Sequence, residues 1–113
     1  NSVGIMSNDV NDYPEDSFEN MDKIAKKNKF SFPYLYDETQ EVAKKYGAVC
    51  TPDFFGYNEM LKLQYRGRLD ATRMTETSND LKPELLEAMI QISHTGEGPI
   101  EQKPSVGCSI KWL

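Results

Sequence analysis

Ala48-Val49-Cys50-Thr51-Pro52-Asp53-Phe54-Phe55 is the stretch on which the reading of this chain turns. A helical pattern closes at Gly47, and a run of β-forming aromatics opens after Pro52. X-Pro bonds adopt cis at modest cost, about 0.5–1 kcal/mol, so Thr51-Pro52 ahead of a strand is a candidate cis turn. Proline has no N–H and pushes the residue before it toward extended geometry. Pro52 is thereby confined to the start of the strand, and the Thr51 backbone is left off the ladder. Cys50 stands next to this turn. By itself Cys-Thr-Pro is also the signature of a plain turn beside a buried, inert thiol.

On the N-terminal side, residues 3–6 (Val-Gly-Ile-Met) form a short apolar run that reads as a buried strand, ended by Ser7-Asn8-Asp9. Asp16 or Ser17 offers an oxygen to cap a helix, with Glu19 three residues after Asp16 as in a capping box. Phe18, Met21, Ile24 and Ala25 share one helical face, and Glu19, Asp22, Lys23 and Lys26 the other. Residues 30–36 are aromatic and β-prone, with Pro33 limiting them to a short or edge strand. Asp37 or Thr39 opens a second helix with Val42, Ala43 and Tyr46 inward, and Gly47 is placed as its left-handed cap.

On the C-terminal side, strands are expected over residues 53–57 and 61–66. The tight link at Asn58-Glu59 makes them antiparallel. Residues 70–79 are polar and read as a surface loop. Asn79 or Asp80 begins the last helix, with Pro83 in its first turn and Leu81, Leu85, Met89 and Ile92 as its apolar stripe. Gly96, Gly98, Pro99 and Pro104 mark an extended tail, residues 96–113, after a domain spanning 1–95. Ile110 and Trp112 are expected to dock, carrying Cys108 with them.

Composition narrows the function. The 113 residues carry a net charge of −5, 38% hydrophobic residues and 11% aromatics. That suits one ordered domain and argues against a nucleic-acid surface, which needs a basic patch. Lys26-Lys27-Asn28-Lys29 is a solvated helix end. No apolar run nears the ~20 residues of a membrane span. With two distant cysteines and one histidine, His94, there is no C-x-x-C pair, no zinc set, no Ser/His/Asp set and no phosphate loop. No metal or cofactor is expected, and a cytoplasmic setting is.

The order helix, glycine, Thr-Pro, strand, turn, strand, helix resembles the second half of the thioredoxin-like fold. More narrowly, four stretches are similar to bacterial redoxins of the alkyl hydroperoxide reductase/thiol-specific antioxidant type. They are Tyr34-Leu35-Tyr36-Asp37-Glu38-Thr39-Gln40-Glu41-Val42-Ala43, Tyr46-Gly47-Ala48-Val49-Cys50-Thr51-Pro52-Asp53-Phe54-Phe55, Tyr65-Arg66-Gly67-Arg68-Leu69-Asp70 and Pro104-Ser105-Val106-Gly107-Cys108-Ser109-Ile110-Lys111-Trp112. The resemblance implies an α/β, thioredoxin-like fold with a mixed sheet flanked by helices. It implies a thiol-disulfide oxidoreductase or thiol peroxidase scaffold acting on a thiol/disulfide protein or a peroxide.

In that family the attacking cysteine precedes the first core helix, and this chain opens on what reads as the second core strand. The expectation is an N-terminally truncated domain whose catalytic cysteine lies outside the chain. Unpaired strand edges would then favour a homodimer or an element swap. The alternative is a non-catalytic binding or assembly module.

Within the chain, Cys50 is either the site thiol or a small buried hydrophobe. Thr51 and Pro52 would shape a substrate groove. Arg66 and Arg68, on one side by strand alternation, would either serve it or solvate an edge. Cys108 is either an unreactive tail residue or a thiol that bonds to a partner or to Cys50, the latter bridge closing a long loop. Tyr34, Tyr36, Phe54 and Phe55 read as core, and His94 as a helix-end residue.

Overall fold

The computed structural model describes residues 1–71 and 82–113. Its contacts form two compact units, Asn1–Val49 with Ser109–Leu113, and Cys50–Cys108. The division expected from composition, 1–95 and 96–113, is a different one: by contacts the end of the tail belongs with the first unit.

The first unit is built on two three-residue strands, β1 (Gly4–Met6) and β2 (Tyr34–Tyr36). They run parallel in the register Gly4↔Tyr34, Ile5↔Leu35, Met6↔Tyr36. Parallel neighbours need a crossover, and helix α1 (Phe18–Lys27) is part of it. Ser17 is its cap, accepting from the Asn20 N–H at 3.3 Å, while Asp16 instead accepts from the Asn8 side chain. The expected apolar face is only partly covered. Met21 is buried and Ala25 half-buried, but Phe18 is 64% and Ile24 44% exposed. Two strands of three residues offer too little surface to cover a stripe along the whole helix.

Helix α2 (Glu41–Tyr46) starts later than expected, after Gln40 in the left-handed region at φ 65°. Asp37 still caps it, accepting the Val42 and Ala43 N–H groups from outside the helix. Ala43 is buried; Tyr46, expected inward, ends the helix exposed. Gly47 at φ 72° is the left-handed cap that the sequence pattern requires.

Residues 109–113 dock into this unit. Ile110 is buried and donates its N–H to the Val49 carbonyl. The Asp9 N–H and Gln40 Nε2 both reach the Lys111 carbonyl, the Lys111 N–H reaches Asn8 Oδ1, and the Leu113 N–H reaches Gln40 Oε1. Trp112, expected to dock with Ile110, stays 42% exposed beneath the Lys44 ammonium.

The second unit opens with β3 (Cys50–Thr51), whose ladder partner is β6 (Cys108–Ser109) in the returning tail. Thr51, expected off the ladder, is thus in one, because Pro52 lacks its own N–H but takes none from the residues before it. Strands β4 (Phe54–Tyr57) and β5 (Leu63–Gly67) are antiparallel, from Phe54↔Gly67 to Gly56↔Tyr65, with an irregularity at Gly56/Tyr57. The link between them is longer than Asn58-Glu59. Asn58 Oδ1 accepts from the Met60 and Lys62 N–H groups and so holds a wider turn.

Helix α3 (Glu84–Thr95) packs on this hairpin around Tyr65, Ala88 and Ile92, flanked by Phe54, Leu85 and Met89. Burying each large apolar side chain there contributes about 1.5–3 kcal/mol. Ala88, absent from the expected stripe, is among the most buried residues because it belongs to the cluster with Tyr65 and Ile92 between helix and hairpin. The loop expected over 70–79, beyond residue 71, lies outside the described residues. So do the helix start at Asn79 or Asp80 and Leu81.

The tail is fastened along its course. Its residues run along β5 through Arg66 N–H to Gln102 Oε1, Gln102 Nε2 to the Gln64 carbonyl, Arg68 N–H to the Lys103 carbonyl and Ser105 Oγ to the Gly67 carbonyl. Those groups of β5 are thereby satisfied within the unit.

Candidate functional site

Cys50 begins β3 and is half-buried. Its thiol donates to the Ser105 carbonyl at 3.7 Å, so the tail supplies the wall over it. The Thr51-Pro52 peptide is cis, and both residues are exposed. Asp53 follows with its carboxylate 6% exposed and 3.4 Å from Arg66 Nη2. The Arg66 guanidinium lies 5.0 Å from the Phe55 ring centroid, a cation held over an aromatic face.

Burial pushes the Cys50 thiol up from its ordinary value, and the Asp53 charge adds to this. The Gly107 N–H and Arg66 oppose the rise without cancelling it. Such a thiol is largely protonated at neutral pH. It is a poor attacking group, while it remains able to exchange once deprotonated.

Two sequence-based assignments change here. Arg68 does not share a side with Arg66. Its Nη2 and Nε reach Glu84 Oε1 at 2.7 and 2.9 Å, because β5 ends at Gly67 and alternation ends with it. A bridge between Cys50 and Cys108 is not formed. Both are free, Cys108 is exposed, and the Cys50 S–H is turned to the Ser105 carbonyl instead. Sequence reasoning missed Asp53, Ser105 and Gly107 as neighbours of the thiol. Asp53 could have been noticed as a carboxylate directly after Thr51-Pro52, whereas the tail residues carry no local signal of their position.

Among the described residues, no group of three or more His, Cys, Asp and Glu side chains is arranged to hold a metal ion. No helix among them is long and apolar enough to cross a membrane. The AhpC/TSA family model matches residues 3–71, which include Cys50, Thr51, Pro52, Asp53 and Arg66. The chain belongs to the AhpC/TSA family.

Solved structures agree on this thioredoxin-like α/β fold for the AhpC/TSA chain. An uncharacterized conserved protein from Geobacillus kaustophilus is 51% identical, with a TM-score of 0.88 over 98% of this chain and 59% of its own. A hypothetical protein from Sinorhizobium meliloti 1021 is 40% identical, also with a TM-score of 0.88, over 98% of this chain and 61% of its own. The chain thus spans about three fifths of the length of these structures. No curated protein matches it.

Proposed function

We propose that this AhpC/TSA chain is part of a thiol-based redox domain, a thiol-disulfide oxidoreductase or thiol peroxidase. In it, Cys50 is the thiol on the substrate groove, and Thr51, Pro52 and Arg66 shape that groove. The observation that carries the reading is the seat of the thiol. Cys50 lies inside the stretch matched to the family, directly before two exposed residues, with the Asp53 and Arg66 ion pair acting on it.

Within that reading Cys50 is a resolving thiol. An attacking cysteine works as a thiolate, favoured by a helix N-terminus or nearby cations. Cys50 sits in a strand, with burial and a carboxylate disfavouring its ionised form. The attacking cysteine is therefore assigned to sequence outside these 113 residues, with a protein disulfide or a hydroperoxide as the oxidised substrate.

Peroxide consumption and insulin-disulfide reduction test the assignment. The 113 residues alone are expected to add nothing to the background of the thiol reductant. A longer protein that supplies the attacking cysteine is expected to turn over, and Cys50→Ser in it to cost about tenfold or more, roughly 1.4 kcal/mol of barrier. Cys50-dependent turnover by the 113 residues alone would remove the outside nucleophile. A longer protein with neither activity would remove the redox reading.

One observation favours the second reading, a binding or assembly module. Val3, Ile5 and Leu35 are all about half exposed, and Ile5 and Leu35 are register partners, so one apolar face of the β1–β2 pair is open. A second copy is the partner in that reading. Light scattering is then expected to give a dimer that Ile5→Lys dissociates, and a concentration-independent monomer sinks it.

A further inference from the structure

Cys50 draws its immediate surroundings from the tail. The Ser105 carbonyl accepts its S–H, and the Gly107 backbone favours its ionised form. Ser105 is anchored in turn, its hydroxyl donating to the Gly67 carbonyl at 2.8 Å at the end of β5. Gly107 passes so close to Thr51 that a Cβ added to it would overlap the Thr51 carbonyl oxygen and crowd the Pro52 nitrogen, both of them backbone atoms that cannot swing away. Any other residue there lifts the segment. Between these fixed points Val106 is 91% exposed, so the segment is held by its anchors and not by apolar burial.

We propose that residues 105–107 are a strap closed over the Cys50 thiol, and that a reagent or substrate reaches the sulfur only when the strap lifts. Ser105 and Gly107 are positioning residues in this device: one ties the strap to β5, the other lets it lie flat on Thr51. A segment held by few hydrogen bonds and little buried apolar surface opens locally, at a free energy well below that of global unfolding. The inference does not depend on the redox reading. It concerns access to the thiol, whatever reaction the thiol serves, and its test reads alkylation instead of turnover.

The test follows the rate at which iodoacetamide alkylates Cys50 in the 113-residue chain carrying Cys108→Ser, so that one thiol reports. Ser105→Ala is expected to raise the rate about threefold, the effect of losing one anchoring hydrogen bond, and Ser105→Thr, which keeps the hydroxyl, to restore it. Gly107→Ala is expected to raise it about tenfold with the far-UV circular dichroism unchanged. In the parent chain the rate should be nearly insensitive to urea below the unfolding transition, as local opening exposes little surface. The proposal is overturned if Ser105→Ala leaves the rate unchanged or Ser105→Thr fails to restore it. It is also overturned if the parent rate follows global unfolding in urea. Should Gly107→Ala fail to fold, the serine pair and the urea series decide.

Discussion

The two units bury different things. Beside apolar Met6, Met21, Ala43 and Ile110, the first also buries polar residues: Ser7, Asp9, Asp37 and Gln40, the last only 1% exposed. Each has a partner. Gln40 Nε2 reaches the carbonyls of Ser7 and Lys111, and the Ser7 hydroxyl donates to Asp37 at 2.8 Å. In the second, the buried cluster is Tyr65, Ala88 and Ile92, and the one polar atom of Tyr65 is spent on the Arg68 carbonyl at 2.6 Å. Among the described residues no buried side-chain nitrogen or oxygen lacks a partner. Apolar burial stabilises in proportion to area and tolerates small displacements. A hydrogen-bonded network contributes little net energy per bond but is costly when one member is removed. The first unit therefore answers to geometry and pH as well as to volume, and the second chiefly to volume.

The largest expected effect falls on the apolar side. Ile92→Ala should cost about 3 kcal/mol through lost transfer energy and a cavity, read as a lower urea midpoint with little change of slope. A cost under about 1 kcal/mol would mean that the cluster around Tyr65 is not closed.

Next comes Gln40→Ala, which strips a donor from two carbonyls and an acceptor from the Leu113 N–H. About 2 kcal/mol is expected, with faster amide exchange at Leu113 than in the parent chain. Unchanged exchange there would break the contrast drawn between the units.

The third is a pH dependence confined to the polar side. Burial pushes the Asp37 carboxyl up, but the Ala43 N–H, the Ser7 hydroxyl and the Val42 and Gln40 N–H groups outweigh it. The folded value lies below the ordinary 3.8. A carboxyl depressed on folding adds stability that is fully present above the unfolded value, and that is lost as pH falls through 3.8 toward the folded one. Acid titration should show this loss in the parent and not in Asp37→Asn, followed by the Asp37 carboxyl resonance. A folded value at or above the ordinary one would refute it.

The smallest effect is at the partly buried pair of Arg68 and Glu84, where Glu84→Gln should lower the thermal midpoint only slightly, and less so in high salt.

Local rules carried a good part of this. Gly47 had to be a left-handed cap, residues 3–6 a short strand, and the aromatics after Pro52 one arm of a hairpin, because each depends on backbone preferences within a few residues. The thiol beside Thr51-Pro52 was visible for the same reason. Arg68 was misplaced because alternation holds only inside a strand, and no local signal says that β5 stops at Gly67. Tyr46, Phe18 and Ile24 were read as core because periodicity tells which residues share a face, not whether anything covers it.

The sequence by itself determined the three helices, the first two strands and the hairpin, the family, and the thiol beside Thr51-Pro52, since these follow from short-range patterns and matched residues. It did not foresee the pairing of Cys50–Thr51 with Cys108–Ser109. Only the tertiary structure decided that the tail crosses from β5 to Cys50 and ends in the Gln40 slot. Hydrogen bonds such as Gln40 to Lys111 and Ser105 to Gly67 join positions far apart in the chain, and no periodicity records which distant carbonyl a side chain will find.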